Sequence, residues 1–188
     1  MWAPHPDNTS PGAWVDMIEG LRLASRIARR HGVRLAIEPE RANVVCDAAS
    51  AETALKELGE DGRTLSIILD AANLYTPPMD PRVHPDVIDD ALARLGPYLS
   101  LAHAKDIADP DAPERAADAH ASNGHYRHVA AGTGILPYAH YLAGLVQATS
   151  AGGATGWRLP LILHGLDEEQ VPTAVAFLRE SLAGLSPA

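Results

Sequence analysis

Four short apolar runs in this chain each end in a residue that can bind a metal ion. Val33–Ile37 leads into Glu38, Leu65–Leu69 into Asp70, Leu99–Ala102 into His103 and Leu159–Leu163 into His164. The steps from 38 to 70, 70 to 103 and 103 to 164 are 32, 33 and 61 residues, the last close to two repeats. Amphipathic stretches fill the intervals. Ser10-Pro11 reads as an N-cap with proline in the first turn, and Trp14, Met17, Ile18, Leu21, Ala24, Ser25 and Ala28 then follow helical spacing up to His31-Gly32. Further helices are predicted from Ser50 to Gly59, from His84-Pro85 to Gly96, from Pro137, and after a capping box at Asp167 and Gln170. His128–Ala131 is a weaker apolar run in the long interval, after a polar loop over Ile107–Arg127. Near-continuous apolar strands alternating with helices, in units of about 30 residues, are the pattern of βαβ crossovers with parallel strands covered on both faces.

Parallel strands of this kind bring their C-terminal ends to one edge, so residues far apart in sequence converge there. Taken singly, a Glu, Asp or His at a strand end is an ordinary loop residue or cap. In register, two carboxylates and an imidazole form a set suited to Mn, Mg, Co or Zn, and burying them with no cation is costly because like charges repel. Lys105 follows His103 by two and shares its strand face, where it is placed to polarise a carbonyl or hold a phosphate. Asp106 is read as orienting a ligand and Asn73 as facing substrate hydroxyls. Glu38-Pro39-Glu40 could bring a second carboxylate close. His5 and Asn8 are expected at the rim, and Gly132 and Gly134 are candidates for presenting backbone N–H groups to an anion. His120, His125 and His128 match no standard zinc spacing and read as a solvated loop.

The wider composition narrows the function. Asp and Glu outnumber Lys and Arg by 24 to 15, for a net charge of −9, and no basic stripe of the kind that binds nucleic acid is present. Cys46 is the single cysteine, which excludes an internal disulfide and reads as a small filler. Neither a signal peptide nor an apolar run of membrane-spanning length is visible, so a cytoplasmic location is expected.

The segments Leu35-Ala36-Ile37-Glu38-Pro39, Leu69-Asp70-Ala71-Ala72-Asn73-Leu74 and Ala102-His103-Ala104-Lys105-Asp106 resemble the xylose isomerase-like TIM barrels. These are sugar phosphate isomerases and epimerases, in a superfamily shared with endonuclease IV. Gly132-Thr133-Gly134-Ile135-Leu136-Pro137-Tyr138 is similar to the family's glycine-containing loop before its seventh helix. The resemblance implies an α/β fold, a partial (β/α)8 barrel comprising strands four to eight and lacking roughly the first three βα units. It implies one divalent metal ion held by Glu38, Asp70 and His103, with His164 standing where the family usually places a glutamate. Glu38, Lys105 and His164 would carry the chemistry, with proton transfer through an enediol-type species on a small sugar, polyol or sugar phosphate. Five strands cannot close a barrel in the usual way. A fragment, a homo-oligomer or a complementing chain that supplies the missing strands is therefore expected, with a metal-dependent phosphodiester hydrolase or a non-catalytic remnant as the alternatives.

Overall fold

The protein is described by a computed structural model over residues 5–111, 126–151 and 159–185, the side chains of 149–151 excepted. Its strands are β1 (Leu35–Ile37), β2 (Leu65–Asp70), β3 (Leu99–Ile107), β4 (His128–Ala130) and β5 (Leu161–Leu163). Its α-helices are α1 (Pro11–Arg30), α2 (Ala48–Leu58), α3 (Asp86–Leu95), α4 (Tyr138–Ala151) and α5 (Val171–Ala183). Each helix packs against the next, so the five form a continuous row beside the sheet.

Local chemistry sets the helix ends. Ser10 Oγ accepts the Ala13 N–H at the start of α1, with Pro11 in the first turn as the sequence indicates. The second helix begins earlier than Ser50, because Asp47 is its N-cap and exchanges a reciprocal capping pair with Ser50. Asp167 and Gln170 form the expected capping box, around a single 3-10 turn (Glu168–Gln170) that runs into α5. Cys46 is half-buried, with its sulfur 4.0 Å from Ser50 Oγ.

β1, β2 and β3 are parallel, and Asp70 stands directly opposite His103 in the register. β2 is buried along almost its whole length, and Ile67, Leu69, Ile88 and Leu95 are sealed from solvent where helix meets sheet. Each such side chain contributes roughly 1.5–3 kcal/mol by leaving water. The lateral strands differ. Ala36 on β1 and Ile162 on β5 face outward from the core, and neither strand has a second partner among the described residues. This parallel-dominated open sheet fits the partial barrel that the family resemblance implies.

One expectation is corrected. The fourth strand is not a parallel strand lying between the third and the fifth. β5 pairs directly with β3, placing Ala102, His103 and Ala104 opposite Leu161, Ile162 and Leu163. β4 runs antiparallel to the far end of β3, with Lys105, Asp106 and Ile107 opposite Ala130, Val129 and His128. The reason lies in β3 itself, which at nine residues is long enough to pair with β5 first and β4 afterwards. The polar interval expected as a loop falls in large part outside the described residues, as do His120 and His125.

Asp106 secures that arrangement. Its Oδ1 accepts N–H groups from Ile107 and Leu136, both at 2.8 Å, and its Oδ2 accepts from Gly132 at 3.1 Å and Gly134 at 3.0 Å. Burial pushes the carboxyl's pKa up against these four donors, which favour the ionised form. A Cβ on Gly134 would lie 2.0 Å from the Ile107 carbonyl oxygen, so only glycine allows the loop this close to β3. The Gly132 and Gly134 amides are therefore spent on the Asp106 carboxylate and are not available to a ligand anion, the role for which the sequence made them candidates. Replacing Asp106 with alanine leaves four N–H groups without their acceptor. The expected loss is about 3 kcal/mol or more in urea unfolding, with Asp106→Asn intermediate. A loss below about 1 kcal/mol for the alanine variant would sink this account of the loop.

Candidate metal centre

The site forms at the C-terminal edge of the sheet from residues on four segments. Glu38 follows β1, Asp70 ends β2, His103 lies in β3, and His164 follows β5 with its N–H donated to the Ala104 carbonyl at 3.2 Å. Because Asp70 and His103 are direct partners in the parallel register, their side chains leave the sheet on the same face. Lys105, two residues on from His103, shares that face. Gly165 lets the chain turn immediately after His164. Its φ is +70°, and a Cβ there would come 3.0 Å from Lys105 Cδ.

Asp70 is the centre of the group and is only 1% exposed. Its Oδ1 accepts the Ala72 N–H at 3.1 Å. Its Oδ2 points into the cluster, 2.8 Å from Lys105 Nζ, 3.4 Å from His103 Nδ1 and 3.5 Å from His164 Nδ1. None of these three contacts is aligned as a hydrogen bond, which leaves a buried oxygen surrounded by charge but without a directional partner. Glu38 Oε1 lies 3.1 Å from His103 Nδ1 and accepts from Asn73 Nδ2 at 2.9 Å. One ligand atom from each of Asp70, His103 and His164 falls within 4.8 Å of the others. The imidazole rings of His103 and His164 are 4.6 Å apart between centroids. An unaligned buried carboxylate oxygen facing two imidazole nitrogens, with a second carboxylate beside one of them, is a donor set that fits a divalent ion.

The charges support that fit. Burial opposes ionisation of Asp70, yet His103, His164 and Lys105 outweigh it and hold the carboxyl well below the usual range. His103 is pushed up to about 9, by Asp70 first and Glu38 second, against desolvation.

The other sequence candidates sort cleanly. Asn73 is brought to the cluster, but both ends of its amide are used, one on Glu38 and the other accepting from Lys105 Nζ at 2.7 Å. It braces those two side chains. Lys105 is 4% exposed and bound to Asp70 and Asn73, so it lies deep in the centre. Glu40 bends back to accept the Ala42 N–H. Asn8 donates to the Ala42 carbonyl at 2.6 Å and so braces the loop after β1, while His5 caps a short exposed turn through Asp7. His164 is half exposed and Glu38 a quarter exposed, so the centre opens to solvent on their side.

Two residues that support the cluster escaped sequence reasoning. Tyr141, fully buried on α4, reaches the Leu69 carbonyl at 3.0 Å and the His103 carbonyl at 3.3 Å. One turn earlier, Tyr138 donates to the Lys105 carbonyl at 2.9 Å. The two hydroxyls hold the backbone that carries Asp70, His103 and Lys105. The available signal was a pair of tyrosines three apart on an otherwise apolar helix face, since a buried hydroxyl needs an acceptor.

Comparison with known proteins places this arrangement. A description of xylose isomerase-like TIM barrels matches residues 2–180. The chain belongs to that family. No curated protein matches the sequence. Among solved structures, a xylose isomerase-like TIM barrel protein from Mycobacterium smegmatis in complex with magnesium superposes with TM-score 0.61 at 19% identity, over 96% of this chain and 55% of that one. A D-psicose 3-epimerase studied in the presence of D-fructose gives TM-score 0.59 at 18% identity, over 91% of this chain and 57% of the epimerase. A D-allulose 3-epimerase from Methylomonas sp. gives 0.60 at 14% identity, over 96% and 59%. These likenesses establish the shared barrel fold, and the chain spans little more than half the length of each neighbour.

Two outcomes are expected from this geometry. In metal-free protein, His103 should titrate near 9 by NMR and move toward its ordinary 6.5 in Glu38→Gln. Because the folded value is raised, the stabilisation from its charged ring is complete below about 6.5 and is lost as pH rises to about 9. Tyr141→Phe should cost about 1–3 kcal/mol in denaturant unfolding, because it removes the buried hydroxyl that donates toward the Leu69 and His103 carbonyls. An unchanged midpoint would show that the hydroxyl does not support the edge.

Proposed function

We propose that this chain is the metal-binding portion of a divalent-metal-dependent isomerase or epimerase acting on a small sugar, polyol or sugar phosphate. The observation that carries this reading is the convergence of Glu38, Asp70, His103 and His164 at one sheet edge around a buried carboxylate oxygen with no aligned partner. The sugar 3-epimerases among its structural neighbours support the substrate class.

A bound divalent ion would supply Lewis-acid polarisation of a carbonyl and its neighbouring hydroxyl. The chain's own groups divide the remaining work. Glu38, partly exposed at the mouth, takes a proton from the carbon beside the carbonyl. His164, on the opposite side of Asp70 and half exposed, returns a proton to the substrate. Lys105 contributes a fixed positive charge from below. Asn73 keeps Glu38 and Lys105 apart and oriented, and so holds the base in place before substrate arrives. The open outer edges of β1 and β5 are where further strands would complete the barrel wall, whether from a longer chain, a second copy or a complementing chain.

The test pairs metal content with turnover. About one divalent ion per chain should co-elute with the protein and be lost in His103→Ala. Metal-loaded protein should exchange a carbon-bound proton of a ketose for deuterium in heavy water, and chelator should abolish the exchange. Bound metal with no exchange across ketoses, polyols and sugar phosphates would overturn the isomerase reading. Absence of metal would overturn the centre itself.

A further inference from the structure

We infer that the centre is selective for a borderline transition ion, such as Zn(II), Co(II) or Fe(II), over hard ions such as Mg(II), and that His164 determines this selectivity. The inference rests on the reading of the cluster as a metal centre and goes beyond it by assigning the class of ion.

The donor set provides the argument. Hard cations favour oxygen ligands and gain mainly from carboxylate charge, whereas imidazole nitrogen favours Zn, Fe, Ni and Cu. Two of the four candidate ligands are imidazoles, and both direct Nδ1 at the same Asp70 oxygen, from 3.4 and 3.5 Å. The carboxylate charge is already partly used. Asp70 Oδ2 is in contact with the Lys105 ammonium at 2.8 Å, and that side chain is 4% exposed, so solvent does little to screen it. Glu38 Oε1 accepts from Asn73. A hard ion would therefore meet two oxygens with reduced charge and two nitrogens it binds weakly. A borderline ion keeps the full benefit of both nitrogens. His103 is fixed within β3 and braced by Glu38, so the position that can vary the set is His164, which lies beyond the three-residue β5 at the exposed rim. Its location also means that replacing it disturbs no packed core.

The experiment uses the full chain, stripped with chelator, and measures equilibrium uptake of Zn(II), Co(II) and Mg(II) alone and in competition, for wild type, His164→Glu and His164→Ala. The visible spectrum of the Co(II) form is recorded for each, and circular dichroism confirms that each variant is folded. Wild type is expected to take up Zn(II) or Co(II) from a large excess of Mg(II). In His164→Glu the preference should narrow by about tenfold or more, mainly through stronger Mg(II) binding. The Co(II) spectrum should change in both variants as a nitrogen ligand is lost. Comparable wild-type affinity for Mg(II) and Zn(II), or a preference and spectrum unmoved in both variants, would overturn the inference while leaving the sugar-isomerase reading in place. Selective metal binding without proton exchange on any ketose would do the reverse. No uptake of any ion would overturn both.

Discussion

A carboxylate placed almost wholly out of water is costly unless positive charge or hydrogen-bond donors surround it, and Asp70 is such a group. Its neighbours come from the turn after β2, from β3 and from the chain beyond β5, so the ionised carboxylate constrains three segments at once. A slip of one residue between β2 and β3 would turn His103 and Lys105 to the other face and leave Asp70 buried among apolar groups. The sealed packing of Ile67 and Leu69 on β2 makes such a slip expensive. Hydrophobic burial and site electrostatics thus require the same register, which is the consistency expected of a sequence that specifies one structure.

The centre is graded from rigid to accessible. Asp70, Lys105 and Asn73 are buried and tied to one another, while Glu38 and His164 extend toward solvent from the two thinly covered lateral strands. The buried half fixes the geometry, and the open half can be reached from solvent with little reorganisation of the groups beneath it. Behind the sheet edge, α4 supplies the second layer of support through Tyr138 and Tyr141. Asp106 does the same work for the neighbouring loop by gathering four backbone amides. Both devices act on backbone groups of β3 and of the segments beside it.

Much of this was legible in the chain because it depends on short-range pattern. The alternation of apolar runs with capped amphipathic helices follows from period and cap chemistry, and the repeat near 30 residues brings Glu38, Asp70 and His103 into line, although the third strand does not stop at His103 as its apolar run suggests but continues to Ile107. The family segments add the barrel and the candidate ligand set, in which His164 stands out as the departure. Asp106, Gly132 and Gly134 were harder to read, since an aspartate near two glycines suits anion binding as well as a self-contained loop. Only the direction of four N–H groups separates the two, and that direction depends on β4 folding back onto β3.

What the sequence alone determined was the order of elements, the face on which each strand end presents its polar residue, and the types of donor that meet there. These depend on periodicities of two and 3.6 residues and on side-chain chemistry, all of which are local. The tertiary structure decided the antiparallel return of β4, the direct pairing of β5 with β3, the burial of Lys105 against Asp70 and the reach of Tyr141 to two strand carbonyls. Each of these joins residues about 20 to 70 positions apart. Such contacts are chosen by the packing of the whole sheet against its helices, which no short stretch of sequence encodes.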